Sequence, residues 1–484
     1  MVNIFLFTQN VKLQSFEKFK NLAGNGDNNI FLTTHLLFDN EKRYLESLYS
    51  NCLYIKFADF LSDDEMQACD EDAYSEEQQN TAEYYDVIKQ LKNSIVIRKV
   101  LDKYKNIKGY ICSDDLGIYE KLWLDAGFER LECEYYYVPV IKVTAPDSKE
   151  VSMQKAKKPK FKEVYAAEQN GKKYIFIGSL NRIGYRTDLD FEKSDYECER
   201  LNNGEFYTSE QCQYLTTLHE MHKCKIPDEP QYDVRCIQDG YLPPNYSGKY
   251  LKIKPKNLQY YAWDAMGEEI FKNQNIPISL FPFRKKLYIP EPVFPKKINT
   301  VLVTTSGAGD WTAQKNRSDD DLMVIAFVEM ARRFPEIEFI YRCHPVWVHP
   351  RHTGVNSINR VAEYLNDTGL CNIHLSGNIF SENLSAFKTS IPRSSFQEDL
   401  EKADMVFGEH SISMIDAAFE KIPFASVNLT NRRDLFCGIS DMGFPACSTV
   451  DEIEAVIHNI GDEEFQRNYL EAVKRYNLMT DQED

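Results

Sequence analysis

Thr300-Val-Leu-Val-Thr-Thr305-Ser-Gly-Ala-Gly-Asp310 is the stretch of sequence that decides the fold. Its β-branched run predicts a buried strand, and the small residues after it predict a turn. A helix is expected next, because Ser318 and Asp321 have the spacing of a capping box and apolar residues then recur at helical intervals. Glu338-Phe-Ile-Tyr-Arg342 predicts a second strand. The order strand, helix, strand is a βαβ unit, which implies parallel strands.

The ends of these two strands are the first candidate site. In open parallel sheets, ligands bind outside the carboxyl ends of the strands. The turn containing Gly307, Gly309 and Asp310 follows the first strand, and His344-Pro345 follows the second. Both therefore fall at the edge where a ligand is expected.

The same alternation of strands and helices occurs twice along the chain. The first series begins at Asn3 and predicts a parallel sheet, and the second begins at Thr300. The proline-rich segment Ile289–Pro295 lies between them and predicts a hinge, because proline disfavours both helices and central strands. We therefore predict an α/β fold of two Rossmann-like βα domains facing a central cleft.

The predicted boundaries follow from this division. Residues 1–290 form the N-terminal acceptor domain, with an acidic insertion at 62–79 and a lysine-rich connector at 145–162. Residues 291–484 form the nucleotide-binding domain, whose final helix is expected to pack back on the first domain.

Composition sets the class of protein. The chain has 484 residues, of which 43% are hydrophobic, and a formal charge of −17. This acidic balance disfavours nucleic acid as a partner.

The 12 cysteines form no CxxC pair, which indicates reduced thiols and a cytoplasmic location. The lysine-rich connector is interpreted as a solvated linker, or as a patch that contacts the inner membrane peripherally.

Two acidic positions are candidates for acid–base chemistry. Val234-Arg-Cys-Ile-Gln-Asp239-Gly240 predicts a strand that ends in a carboxylate, a position suited to deprotonating an acceptor hydroxyl. An Asp-Gly pair is also a common turn signal. Asp114-Asp115 ends another predicted strand and is the second candidate. The sequence does not choose between them.

Groups suited to binding a phosphate occur in the second domain. Arg342, His344 and Pro345 end one predicted strand. Glu409, Ser411 and Ser413 follow another and precede a predicted helix, whose free N–H groups attract anions. The serines could instead only cap that helix. No metal is expected, since neither the His344, His349, His352 group nor the Cys212, His219, His222, Cys224 group has the usual ligand spacing.

In their order and spacing, these motifs resemble bacterial glycosyltransferases of the GT-B fold that use CMP-activated keto-sugars. Gln238-Asp239-Gly240-Tyr241-Leu242 is similar to the acidic-Asp-Gly-aromatic-Leu motif of the capsule and O-antigen β-Kdo transferases. The stretch from Gly307 to Pro345 is similar to the Kdo transferase domain of that family. The resemblance covers mainly residues 230–430, and Gln238 departs from the family's usual leading acid.

The resemblance implies a metal-independent transfer of Kdo from CMP-β-Kdo to an oligosaccharide or lipid-linked glycan, with no cofactor. It further implies retention of configuration through a covalent adduct on Asp310, with Asp239 as the acid–base residue. Three alternatives stay open: an inverting sialic acid or nonulosonate transferase, a glycerol- or ribitol-phosphate transferase, and a non-catalytic GT-B scaffold of a polysaccharide-assembly complex.

Overall fold

The structure is a computed structural model in which part of the chain is described. The described residues are 1–8, 11–24, 26–62, 64–66, 68–69, 84–112, 120–135, 161–169, 172–177, 192–200, 213–216, 221–224, 232–237, 259–262, 278–280, 288–305, 319–342, 354–376, 394–409, 413–429, 439–440 and 442–481.

The first sheet is built from five parallel strands in the order β3-β2-β1-β4-β5. Its strands are β1 Val2–Phe7, β2 Asn28–Thr33, β3 Cys52–Lys56, β4 Ile107–Cys112 and β5 Phe128–Arg130. The segments between them include 3-10 helices at Leu13–Leu22 and Phe57–Phe60, and helices α1 Asp39–Leu48, α2 Tyr84–Lys103 and α3 Glu120–Asp125. This is the strand order of a Rossmann-like sheet, with the switch point between β1 and β4.

Both faces of the first sheet are buried, as the apolar run of β1 requires. Successive side chains of a strand point to opposite faces. Ile4 and Leu6 belong to a core with Val96 and Val100 of α2. Phe5 and Phe7 belong to the other core, in which the Phe5 ring stacks on that of Phe31 at 5.4 Å. A sheet covered on both faces explains why its central strand is hydrophobic from Ile4 to Phe7.

A second, mixed sheet of eight strands is formed by the part of the sequence between the two βα series, and its antiparallel part was not predicted. Its order is β13-β12-β11-β7-β6-β8-β10-β9. The strands are β6 Phe161–Gln169, β7 Lys172–Ile177, β8 Glu192–Arg200, β9 Gln213–Thr216, β10 Met221–Cys224, β11 Tyr232–Ile237, β12 Gln259–Ala262 and β13 Ile278–Leu280. β11 pairs in parallel with β7 and β12, whereas β6 pairs antiparallel with β7 and β8.

Residues 300–342 form the first two strands of a parallel arrangement of four strands. The strands β14 Thr300–Thr304, β15 Glu338–Arg342, β16 Ile373–Ser376 and β17 Met405–Gly408 lie in the order β16-β15-β14-β17. The helices between them are α4 Asp319–Arg333, α5 Gly354–Thr368 and α6 Phe396–Leu400. Phe327 of α4 packs its ring 5.4 Å from that of Phe407 on β17. The predicted βαβ unit is confirmed, and Ser318, its predicted cap, lies outside the described residues.

The last part of the chain contains α7 Ser413–Phe419, β18 Phe424–Val427, β19 Ala446–Cys447, α8 Val450–Asn459 and α9 Glu463–Asp481. On α9, Tyr469 accepts a hydrogen bond from the backbone N–H of Phe424 at 2.8 Å. Asn477 binds both the backbone N–H and the carbonyl of Ile289, at 2.8 and 2.9 Å. The final helix therefore fixes the start of the proline-rich segment, which forms neither helix nor strand, as predicted.

Contacts group the chain into two compact units. The first contains residues 1–141, 297–411 and 447–455, and the second contains 142–296, 412–446 and 456–484. The strand orders of the first sheet and of β14–β17 confirm the predicted α/β class with two Rossmann-like βα sheets, as in the GT-B fold. The domain boundary at 290/291 and the packing of the last helix on the first domain stay predictions.

Candidate functional site

The carboxyl ends of four parallel strands form a row that contains the predicted ligand-binding edge. Arg342, the last residue of β15, pairs in register with Ser376, the last residue of β16. It also pairs with Thr304, the last residue of β14, and Thr304 pairs with Gly408, the last residue of β17. Four strands therefore end at one level, which lets the segments that follow them share a site.

The predicted site residues follow the strands of this row in the chain. Gly307, Gly309 and Asp310 come after β14, His344 and Pro345 come after β15, and Ser411 comes after β17. All six lie outside the described residues, so their roles stay predictions. What the structure establishes is that their strands are neighbours and end together.

Arg342 is the most informative of the predicted residues that are described. Its Nη1 donates to Oδ2 of Asp399 at 2.7 Å and to the carbonyl of Ser394 at 3.1 Å. The Arg342 side chain is 10% exposed and that of Asp399 is 2% exposed. The ring of Phe396 lies 5.8 Å from the guanidinium carbon. Arg342 is thus anchored at the end of its strand by a buried ion pair.

Two serine hydroxyls complete this anchor. Ser376 Oγ donates to Oδ2 of Asp399 at 2.5 Å. Ser394 Oγ lies 2.5 Å from Ser376 Oγ. Because the Ser376 proton is used toward the carboxylate, Ser394 is the donor of the second bond. We call Arg342, Ser376, Ser394 and Asp399 the Arg342 cluster. It joins the ends of β15 and β16 to the start of α6 through Ser394 and to the last turn of α6 through Asp399.

Helix α6 begins with a capping box that holds this start in place. Ser395 Oγ accepts from the N–H of Glu398 at 3.1 Å, and the N–H of Ser395 donates to the Glu398 carboxylate at 2.6 Å. This backbone hydrogen bond holds the pKa of Glu398 below its ordinary value, with a smaller contribution from the Ser395 hydroxyl. The cap fixes the turn of chain that places Asp399 against Arg342.

The switch point between β14 and β17 is polar and buried. The backbone N–H of Glu409 donates to the carbonyl of Thr304 at 3.1 Å. Thr304, Thr305 and Glu409 are 4%, 3% and 3% exposed. Ser413 is also buried and begins α7, so the prediction that a hydroxyl stands at a helix start is confirmed there. The phosphate-binding roles predicted for Glu409 and Ser413 are not tested.

The candidates for acid–base chemistry follow observed strands but lie outside the described residues. β4 ends at Cys112, shortly before Asp114-Asp115. β11 ends at Ile237, immediately before Gln238-Asp239. The predicted strand that precedes the Asp-Gly turn is confirmed, and the choice between the two candidates stays open.

Sequence reasoning missed Asp399, which pairs with the Arg342 side chain, and the two serines of the cluster, Ser376 and Ser394. A local signal was present, since Ser395 and Glu398 have capping-box spacing and predict the helix start. No local signal could pair Asp399 with Arg342, because 57 residues separate them.

Within the described part of the chain, no group of three or more His, Cys, Asp or Glu residues could hold a metal ion. No helix among those residues is long and apolar enough to cross a bilayer. His344, His349 and His352 lie outside the described residues, so their rejection as a metal site stays a prediction.

No protein-family model matches the chain, and no curated protein matches it. Among solved structures, that of TarM aligns at 11% identity over 99% of this chain and 95% of its own, with a TM-score of 0.30. A UDP-GlcNAc 2-epimerase from Neisseria meningitidis aligns at 9% identity over 98% and 94%, with a TM-score of 0.26. A UDP-glucosyltransferase from Polygonum tinctorium aligns at 9% over 99% and 94%, with a TM-score of 0.27. Similarities this low establish neither fold nor function, and the fold assignment rests on the strand orders.

Proposed function

We propose that this chain is a glycosyltransferase that uses a nucleotide sugar, and that its donor is CMP-β-Kdo. One observation carries the proposal: the strands that precede the glycine turn, His344-Pro345 and Ser411 are neighbours in a parallel sheet and end in one row. The predicted site residues that follow β14, β15 and β17 are therefore attached to one sheet edge, although they are scattered along the sequence, whereas the Asp239 motif follows β11 of the mixed sheet.

The chemistry proposed for this edge is a double displacement. Asp310 attacks the anomeric carbon of Kdo, and the bond from that carbon to the CMP phosphate oxygen breaks, with the electron pair leaving on CMP. The acceptor hydroxyl then loses its proton to Asp239 and displaces Asp310 from the anomeric carbon. Two inversions give net retention of configuration. Arg342, His344 and the backbone at Ser411 and Ser413 offset the charge that develops on the leaving phosphate.

The proposed acceptor is an oligosaccharide or a lipid-linked glycan. A cytoplasmic location with peripheral contact to the inner membrane suits such an acceptor, and the lysine-rich connector at 145–162 would make that contact. Six of the cysteines among the described residues are free thiols, which supports a reducing compartment: Cys52, Cys69, Cys112, Cys133, Cys371 and Cys447.

The decisive experiment is mass spectrometry of the intact protein after incubation with CMP-Kdo generated in situ. We expect the wild type to gain the mass of one Kdo residue. Asp310→Asn should give no adduct and lose transfer, yet still bind CMP. Asp239→Asn should form the adduct but fail to pass Kdo to the acceptor.

The outcome separates the alternatives. If Asp310→Asn retains most of the wild-type rate, double displacement is refuted, and an inverting nonulosonate transferase with Asp239 as its base explains the site better. If CMP raises the melting temperature of neither the wild type nor any variant, the non-catalytic scaffold replaces the enzyme. A shift with CDP-linked polyols alone would instead indicate a polyol-phosphate transferase.

A further inference from the structure

The Arg342 cluster contains a charged residue to which the proposed reaction gives no role. Asp399 is 2% exposed and lies at the second position from the end of α6. Burying a carboxylate costs solvation free energy, which its hydrogen-bond and ion-pair partners must offset. Asp399 has two such partners, Arg342 and Ser376, and both are the last residues of strands in the row.

The hydrogen bonds that Arg342 makes to described residues use only one of its three guanidinium nitrogens. Nη1 carries both of the hydrogen bonds of Arg342, to Asp399 and to the Ser394 carbonyl. In the described part of the chain, Nε and Nη2 have no acceptor. Those two nitrogens form one edge of the guanidinium, whose parallel N–H bonds match two oxygens of a phosphate or carboxylate.

The anchored side chain is also restrained before any ligand arrives. One nitrogen is held by a carboxylate and a carbonyl, and the ring of Phe396 packs near the guanidinium. Holding a long side chain in its binding conformation lowers the entropy lost when a ligand binds.

We propose that Asp399 is a positioning residue, which holds Arg342 so that its Nε and Nη2 edge binds the phosphate of the donor nucleotide. The inference rests on the proposed function for the identity of that nucleotide. Asp399 touches no reacting atom and acts only through Arg342. Ser376 and Ser394 orient the carboxylate, and their contribution is smaller because Asp399 keeps its bond to Nη1 without them.

The test is calorimetric titration of the wild type, Asp399→Asn, Arg342→Ala and the double variant with CMP, cytidine and inorganic phosphate. Asp399→Asn should weaken CMP binding about tenfold, the scale of one charge-assisted hydrogen bond. The double variant should bind CMP no more weakly than Arg342→Ala alone, because residues that act through one interaction are not additive. Cytidine affinity should be unchanged in all variants, since cytidine has no phosphate.

A matched control exists in the same contact unit. Glu41 and Arg360 form another buried arginine–carboxylate pair, 8% and 3% exposed. Glu41→Gln should lower stability and leave the Kd for CMP unchanged. This control separates loss of positioning from general loosening of the fold.

The results distinguish failure of the inference from failure of the proposed function. If the wild type binds CMP and Asp399→Asn binds it equally well, or if the two single effects add in the double variant, Asp399 does not position Arg342. If the wild type binds neither CMP nor cytidine, the proposed donor is wrong. In that case the phosphate titration decides the inference: loss of phosphate binding in both Asp399→Asn and Arg342→Ala supports it, and unchanged binding overturns it.

Discussion

Replacing Glu41 by Gln should loosen the contact between α1 and α5 more than any change at their exposed surface. Glu41 on α1 accepts two hydrogen bonds from Arg360 on α5, both at 2.8 Å, from Nε to Oε1 and from Nη2 to Oε2. Oε2 also accepts the backbone N–H of Phe38 at 2.8 Å. The Phe38 ring lies 4.8 Å from the Arg360 guanidinium and stacks on Tyr364. Glutamine keeps one acceptor but turns an NH2 group toward the guanidinium donors.

The expected loss follows from burial. Removing one partner of a buried ion pair costs about 3–5 kcal/mol. Asp321 lies 3.5 Å from Nη1 of Arg360 and still offsets part of its charge, and Nη2 keeps its bond to the Leu36 carbonyl. We therefore expect about 3 kcal/mol, the low end of that range.

Hydrogen exchange is the appropriate assay, because a chain with two contact units need not unfold in one step. The protected amides of α1 and α5 should exchange roughly a hundredfold faster or more in Glu41→Gln than in the wild type, since 1.4 kcal/mol is about tenfold.

The same two helices provide the control. Arg43 on α1 and Asp367 on α5 form an ion pair at 2.5 Å whose side chains are 62% and 43% exposed. Asp367→Asn should cost less than about 1 kcal/mol, as exposed pairs do. If both variants speed exchange equally, the reasoning from burial is refuted.

The remaining predictions concern packing, pH and the donor phosphate. Gly109→Ala should destabilise the protein by about 1–3 kcal/mol, because a Cβ there would lie 2.4 Å from the Phe128 ring and must displace it. Denaturant titration measures this loss, and unchanged stability would contradict the prediction. The side-chain hydrogen bond from Lys99, with a backbone bond from Ser62, lowers the pKa of Glu65 to about 2. The contribution of the Glu65 carboxylate to stability is therefore complete above about pH 4.5 and is lost as the pH falls toward 2. Glu65→Gln should therefore flatten the stability profile between those pH values and only there. His344→Ala should weaken CMP binding by about 1.5–3 kcal/mol, and an unchanged Kd would remove His344 from the phosphate site.

The mixed sheet, whose strands come between the two βα series in the sequence, shows what the sequence did not predict. The strand predicted before Asp239 is observed as β11 Tyr232–Ile237. The antiparallel pairs of this sheet, β6 with β7 and β8 and β10 with β8 and β9, were not predicted, because local periodicity indicates a strand but not its partner.

The sequence alone determined the elements whose signals are local. The apolar run that follows Asn3 predicted a strand, the β-branched run at Thr300–Thr304 predicted another, and the prolines at 289–295 disfavoured both helix and central strand. Each of these follows from side-chain period or backbone restriction within a few residues.

Only the tertiary structure decided which strand ends and which charged side chains lie next to each other. Nothing in the sequence near Arg342 indicates that Ser376 will lie beside it or that Asp399 will neutralise it. Likewise, nothing near Arg360 indicates that it will pair with Glu41, which is 319 residues away. The strand order β16-β15-β14-β17 places Ser376 beside Arg342, and the cost of burying an unpaired charge explains why the buried carboxylates of Asp399 and Glu41 pair with arginines. Local sequence therefore chose the elements, whereas the free energy of burying charged groups together chose the Arg342 cluster.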